Sequence, residues 1–181
     1  NILYLDTAST TPVAPEAIAA MLAYLGAEGC YYNPSSISHC LGRSAAASVN
    51  TSRAVIAGVL SCEPEEVIFT SGATEANNLA LRGIAHAHTH QGRHLITSLI
   101  EHKSVLETCH ELEREGFTIT YLKPNQGGWV EPQAVQEALR PDTLLVSLLH
   151  TNNETGVIQP IKEIAALLTD AGVLFHVDAA Q

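Results

Sequence analysis

A chain of 181 residues, 46% hydrophobic and 15% charged, can bury a sizeable core, which excludes a disordered or low-complexity protein. Its net charge of −10, with only nine scattered Lys and Arg, argues against nucleic acid as a main partner, because phosphate backbones are bound by clustered cations. No apolar run approaches the roughly 18 residues that would span a bilayer, so no membrane partner is expected.

Residues 2–5 read as a short strand, and Pro15–Leu25 as a helix with Ile18, Met21, Leu22 and Leu25 on one face and Gly26 closing it. Residues 35–60, rich in Ala and Val, read as a long helix. From Pro64 onward strands and helices alternate: strand 67–70, helix 74–88, strand 95–100, helix 104–114, strand 117–122, helix 132–139, strand 144–149, helix Ile161–Ala171, strand 173–177. These strands are continuous apolar runs, as in a parallel sheet covered on both faces. Gly116 and Gly172 stand just past two helices, where a left-handed residue ends the last turn. The expected fold class is therefore α/β, a mainly parallel sheet with helices on both faces. It divides into an N-terminal helical segment, residues 1–63, and a βα-alternating part, residues 64–181. Cys30, Cys40, Cys62 and Cys109 show no C-x-x-C pairing, and no signal or transit segment is visible, so a reduced, cytoplasmic protein is expected.

Four polar clusters each follow a predicted strand: Ser71-Gly72-Ala73-Thr74-Glu75, Glu101-His102, Asn152-Asn153-Glu154, and residues 178–181. Ligands of open α/β sheets bind outside the carboxyl ends of the strands, so the four clusters predict one pocket. Helix N-termini present unpaired N–H groups and partial positive charge, which suits a phosphate at Ala73 and Thr74. Asp178 ends an apolar strand, where a carboxylate needs a cation or hydrogen bonds. A protonated pyridine nitrogen would supply that cation. Gln181, three residues on, is placed to donate to an oxygen of the same ring. Each residue alone has a plainer role: Thr74 and His102 as helix caps or surface residues, Asp178 as a hydrogen-bonded core carboxylate.

In wording, the chain resembles the NifS-like cysteine desulfurases of the class V aminotransferase group from end to end. The matching segments are Tyr4-Leu5-Asp6-Thr7-Ala8-Ser9-Thr10-Thr11-Pro12, Asn33-Pro34-Ser35-Ser36, Phe69-Thr70-Ser71-Gly72-Ala73-Thr74-Glu75-Ala76-Asn77-Asn78-Leu79, Ile100-Glu101-His102, Asn152-Asn153-Glu154-Thr155-Gly156 and His176-Val177-Asp178-Ala179-Ala180-Gln181. The resemblance implies the large domain of a fold type I enzyme with pyridoxal 5′-phosphate as cofactor. L-cysteine would be the substrate, alanine and a protein-bound persulfide the products, and sulfur-acceptor or scaffold proteins of iron–sulfur assembly the partners. It implies Ala73 and Thr74 at the cofactor phosphate and His102 stacked on the ring as acid–base catalyst. Asn153 would lie near the phenolic oxygen and the substrate carboxylate, Asp178 at the pyridinium nitrogen, Gln181 at the phenolic oxygen, and Asn33 in a segment bordering the active-site region. A homodimer is implied for the full-length form.

The family's Schiff-base lysine, its persulfide cysteine, its substrate-binding arginine and its small C-terminal domain match nothing in residues 1–181. The 181 residues alone are therefore expected to be inactive, to associate through an open sheet edge, and to release any cofactor on dialysis. Thr7-Ala8-Ser9 stands where relatives often carry Asn-Asn-Ala. A selenocysteine lyase, another class V lyase, or a non-catalytic half that binds a partner remain alternatives. Lys103, Lys123 and Lys162 have no argument for a lowered pKa as substitute lysines. His86, His88 and His90 read as a solvated helix end rather than a metal site, and the four cysteines read as structural.

Overall fold

The computed structural model describes residues 2–181, in two compact units, 2–69 and 70–181. The first is helical, with helix α1 (Pro15–Leu25), helix α2 (Cys40–Leu60) and a 3₁₀ turn at Pro64–Glu66. α2 starts later than its composition predicts. Asn33 Oδ1 accepts the Ser35 N–H at 2.9 Å and its carbonyl accepts the Ser36 N–H at 3.1 Å, which folds 33–36 into a turn. His39 then caps the helix, its Nδ1 accepting the Gly42 N–H at 3.0 Å. The turn lies so close to α2 that a Cβ on Gly42 would sit 2.0 Å from the Ser36 carbonyl oxygen, so only glycine fits.

The strands expected at 2–5 and 67–70 do not form; both segments lack a ladder partner among the described residues. An apolar run becomes a strand only if another backbone pairs with it. In 67–70 the Val67 carbonyl instead accepts from Arg53 Nε of α2 at 3.1 Å, and that guanidinium lies 5.3 Å from the centre of the Phe69 ring.

Unit 70–181 holds helices α3 (Ala73–Ala87), α4 (Lys103–Arg114), α5 (Pro132–Ala138) and α6 (Ile161–Ala171) and strands β1 (His94–Ser98), β2 (Thr118–Leu122), β3 (Thr143–Leu149) and β4 (Leu174–Asp178). All pairings are parallel and the strand order is β2-β1-β3-β4. Side chains alternate across the pleat. Leu95 of β1 and Leu145 of β3 pack with Leu81 and Ala85 of α3 and Val105, Cys109 and Leu112 of α4. Ile96, Val146 and Leu148 pack on the opposite face with Val135 of α5 and Ile164 and Leu168 of α6. The parallel sheet covered on both faces, expected from the apolar runs, is thus present. β1 and β3 are buried throughout, while β2 and β4 form the partly exposed edges. Gly116 and Gly172 take positive φ of 90° and 68°, ending α4 and α6 as expected.

From β1 the chain crosses through α4 to β2 on one side; from β3 it crosses through α6 to β4 on the other. The connections part between β1 and β3, so the crevice outside their carboxyl ends is the topological switch point, the usual ligand position in such sheets.

Candidate functional site

At that switch point Glu101 and Asn152 tie the loops together. Glu101 is 6% exposed; its Oε1 accepts from the Ser98 hydroxyl at the end of β1, and its Oε2 is buried without a hydrogen-bond partner. Burial pushes its carboxyl up to about 7, the Ser98 hydroxyl and the Leu149 backbone amide pull it back, and the charge of Asp178 adds to the rise. Asn152, also buried, donates to the Ile100 carbonyl at 3.1 Å. Its Oδ1 accepts the N–H groups of Glu154 and Thr155 at 3.0 and 2.8 Å and so shapes the loop after β3.

Asp178 closes β4 opposite Leu149 and is 8% exposed. Its Oδ1 accepts the Ala180 N–H at 3.1 Å and its Oδ2 accepts from Asn77 Nδ2 at 2.8 Å. Asn77 is buried on α3, and the same Nδ2 also lies 2.9 Å from Ser104 Oγ of α4. Ser104 Oγ is 2.8 Å from His102 Nδ1. His102 is the N-cap of α4, its Nδ1 accepting the Ser104 N–H at 3.1 Å. Two residues chosen from sequence, Asp178 and His102, are therefore joined through two that carried no role in the sequence reading, Asn77 and Ser104. A signal existed: Asn77 sits four residues before Leu81 and eight before Ala85, a polar side chain on the buried stripe of α3.

Ala73 and Thr74 begin α3, one turn before Asn77. The first intrahelical bond runs from the Ala76 N–H to the Gly72 carbonyl at 3.1 Å, so the N–H groups of Ala73 and Thr74 precede it and find no acceptor within the helix. Ser71 is occupied otherwise, its N–H and hydroxyl both donating to Glu75 Oε2 at 2.6 and 2.7 Å. A Cβ on Gly72 would meet nothing within 4 Å, and its extended backbone suits any residue, so no neighbour in the chain demands glycine there. The space in front of the helix start is open. Thr74, Asn78, His102, Lys103, Ser104 and Glu107 line a groove of about 340 Å³. Thr74 and His102 thus share this groove, whereas Ala73, Asn153, Asp178 and Gln181 do not line it.

Three of the four polar clusters sit at strand ends; the fourth, 71–75, follows an unpaired segment and is a helix start only. Asn153 is exposed on the loop that Asn152 organises, and Gln181 is exposed three residues past β4. Lys103 is exposed at the start of α4. Of the histidines ending α3, His86 and His90 are exposed and His88 is half-buried, and they make contacts of their own. His86 Nε2 lies 2.6 Å from Glu115 Oε2, Arg82 pairs with the same carboxylate at 2.9 Å, and the His88 and His90 rings stack at 6.2 Å. The His86 bond holds the Glu115 carboxyl below its ordinary value. Among the described residues no three His, Cys, Asp or Glu lie together as metal ligands, and no helix is long and apolar enough to cross a membrane. Cys109 is a core residue whose thiol burial pushes up to about 12, whereas Cys40 is exposed at the start of α2.

Comparison with known proteins places this arrangement in a family. The family model described as aminotransferase class-V matches residues 3–181. The cysteine desulfurase IscS of Psychromonas ingrahamii is 51% identical over 179 residues, 99% of this chain and 44% of that protein. The IscS of Pseudomonas syringae pv. tomato is 49% identical with the same coverage. Among solved structures, SspA in complex with cysteine superposes with a TM-score of 0.92 at 42% identity, covering 98% of this chain and 50% of that one. A NifS-like protein gives 0.90 at 35% identity, covering 96% and 48%. The chain spans about half the length of the relatives it matches. On the match across residues 3–181, the chain belongs to the aminotransferase class-V family.

Proposed function

We propose that residues 70–181 form the cofactor cradle of a pyridoxal-phosphate-dependent cysteine desulfurase, which removes sulfur from L-cysteine to leave alanine. The observation that carries this reading is the joining of Asp178 and His102, through Asn77 and Ser104, beside the open N-terminus of α3. The relatives named cysteine desulfurase and the solved neighbour with bound cysteine support the substrate class.

The residues present fit the group. The Ala73 and Thr74 N–H groups, with the positive end of α3, would hold the phosphate. His102 would lie against the face of the pyridine ring, and Asp178 would neutralise the ring nitrogen. Both Asp178 oxygens already accept one hydrogen bond, which fixes the orientation of the carboxyl group. Asn153 and Gln181 would address the phenolic oxygen, Asn153 also the substrate carboxylate. When bound, the cofactor supplies an electron sink for the substrate α-carbon. The chain's own part is to hold the anion at Asp178, to keep the imidazole in place at the head of α4, and to exchange a proton through that ring.

The test is conversion of L-cysteine by the protein at its natural length, supplemented with pyridoxal phosphate. Alanine should accumulate together with transferable sulfur, and His102→Ala and Asp178→Ala should each lower turnover by about 100-fold. No alanine, or variants at full rate, would contradict the proposal. A preference for selenocysteine in the same assay would move the substrate assignment within the family.

A further inference from the structure

The hydrogen bonds around His102 have a direction that can be worked out atom by atom. Asn77 has one amide group facing both Asp178 Oδ2 and Ser104 Oγ, at 2.8 and 2.9 Å. Turned the other way, its carbonyl oxygen would face a carboxylate oxygen, two acceptors in contact. The nitrogen must therefore face Asp178, and it donates to both neighbours. Ser104 Oγ, having accepted from Asn77, turns its own hydrogen toward His102 Nδ1 at 2.8 Å. The Ser104 N–H also points at Nδ1, at 3.1 Å, and a backbone N–H can only donate. Nδ1 must then present its lone pair, and the proton of the neutral ring has only Nε2 left.

We propose that Asn77 and Ser104 are positioning residues: Asn77 donates outward to both Asp178 and Ser104, and Ser104 in turn donates to His102, which holds the imidazole proton on Nε2. The functional meaning of this arrangement rests on the cofactor reading above. The residue at the ring nitrogen and the residue at the ring face then share one buried scaffold on α3 and α4. The ring offers the cavity an Nε2–H donor in one orientation, while Nδ1 is occupied as the cap of α4. The same amide that aims the Asp178 carboxylate also orients the serine that selects the tautomer. Each tie removes rotamer freedom before a ligand arrives.

The test is long-range proton–nitrogen NMR of histidine-labelled protein at its natural length, at alkaline pH, with His102 assigned by loss of its signals in His102→Gln. The wild type should show the Nε2–H pattern. Ser104→Ala, which leaves the backbone donor but removes the hydroxyl, should lower the ratio of Nε2–H to Nδ1–H forms by about fivefold, as loss of one modest hydrogen bond implies. Asn77→Leu should move the ratio the same way, although residue 77 does not touch the ring. An Nδ1–H pattern in the wild type, or an unmoved ratio in both variants, would overturn the proposal. If Asn77→Leu fails to fold by circular dichroism, Ser104→Ala decides alone. Uptake of pyridoxal phosphate is read separately by visible absorbance. Protein with the Nε2–H pattern that binds none supports the chain and overturns only the cofactor reading. Protein that binds it with an Nδ1–H ring overturns the chain alone.

Discussion

The two units of this chain use apolar side chains in opposite ways. In 2–69, α1 carries Ile18, Met21, Leu22 and Leu25 on one face, yet all are 47–68% exposed and the helix has no buried residue. α2 buries only Gly42, Ala45 and Ala57 over 21 residues. In 70–181, Leu81, Leu95, Leu112, Leu145, Ile164 and Leu168 are at most 1% exposed, packed on both faces of the sheet. The first unit is ordered by local devices: the Asn33 turn, the His39 cap and the Arg53 clasp on Val67 and Phe69. The second is ordered by burial, and three residues of the linked polar chain, Asp178, Asn77 and Ser104, are buried, while His102 at its end is exposed. Precise placement of a ligand follows burial, because packed neighbours leave a side chain few alternatives.

This contrast can be broken, and the largest expected effect lies in the sheet. Leu145→Ala removes a fully buried side chain of β3 and should cost about 3–5 kcal/mol in urea unfolding. A loss under about 1 kcal/mol would mean that the core lies elsewhere. Next comes Glu101. Its folded-state carboxyl is raised from the ordinary 4.5 to about 7, so the folded protein binds the extra proton between those values. The stabilisation from the protonated form is fully present below pH 4.5 and is lost as pH rises through 7. Across that window the loss amounts to roughly 3 kcal/mol. Glu101→Gln, neutral and of the same shape, should flatten the stability profile over the same range; an unchanged slope would show that another group titrates there.

Smaller effects are expected in the helical unit. Arg53→Ala should cost about 1 kcal/mol or less, seen as faster amide exchange at 67–69 while β1 and β3 stay protected. Leu22→Ala, at a site 63% exposed, should change stability by no more than about 0.5 kcal/mol. A cost near that of Leu145→Ala would sharpen the comparison differently, showing that the face of α1 is covered in the natural protein.

What the sequence made legible divides along the same line. Helices and strands of 70–181 are readable because burial on both faces leaves continuous apolar runs, and Gly116 and Gly172 mark helix ends by their positive φ. The segment 67–70 has the same apolar look but no partner strand among the described residues, and pairing is not a property of one segment. The start of α2 was misplaced because Ala and Val composition outweighed the Asn33-Pro34-Ser35 turn and the glycine at 42 that its close approach needs. At the candidate site, residues at the ends of elements stand out in the sequence because strand ends are where α/β sheets hold ligands. Asn77 does not stand out because it lies inside α3, where an apolar stripe signals packing, and Ser104 does not because a serine in the first turn of a helix is commonplace.

The central claim is that the linked cluster at the strand ends of 70–181 is a pyridoxal-phosphate cradle anchored on Asp178. It is tested most directly by an absorbance titration of the natural-length protein and its Asp178→Asn variant with pyridoxal phosphate. The account predicts a saturable spectral change in the wild type and at least a roughly tenfold weaker affinity in the variant, a difference of about 1.4 kcal/mol. A wild type that shows no saturable change, or a variant that titrates identically, would contradict it.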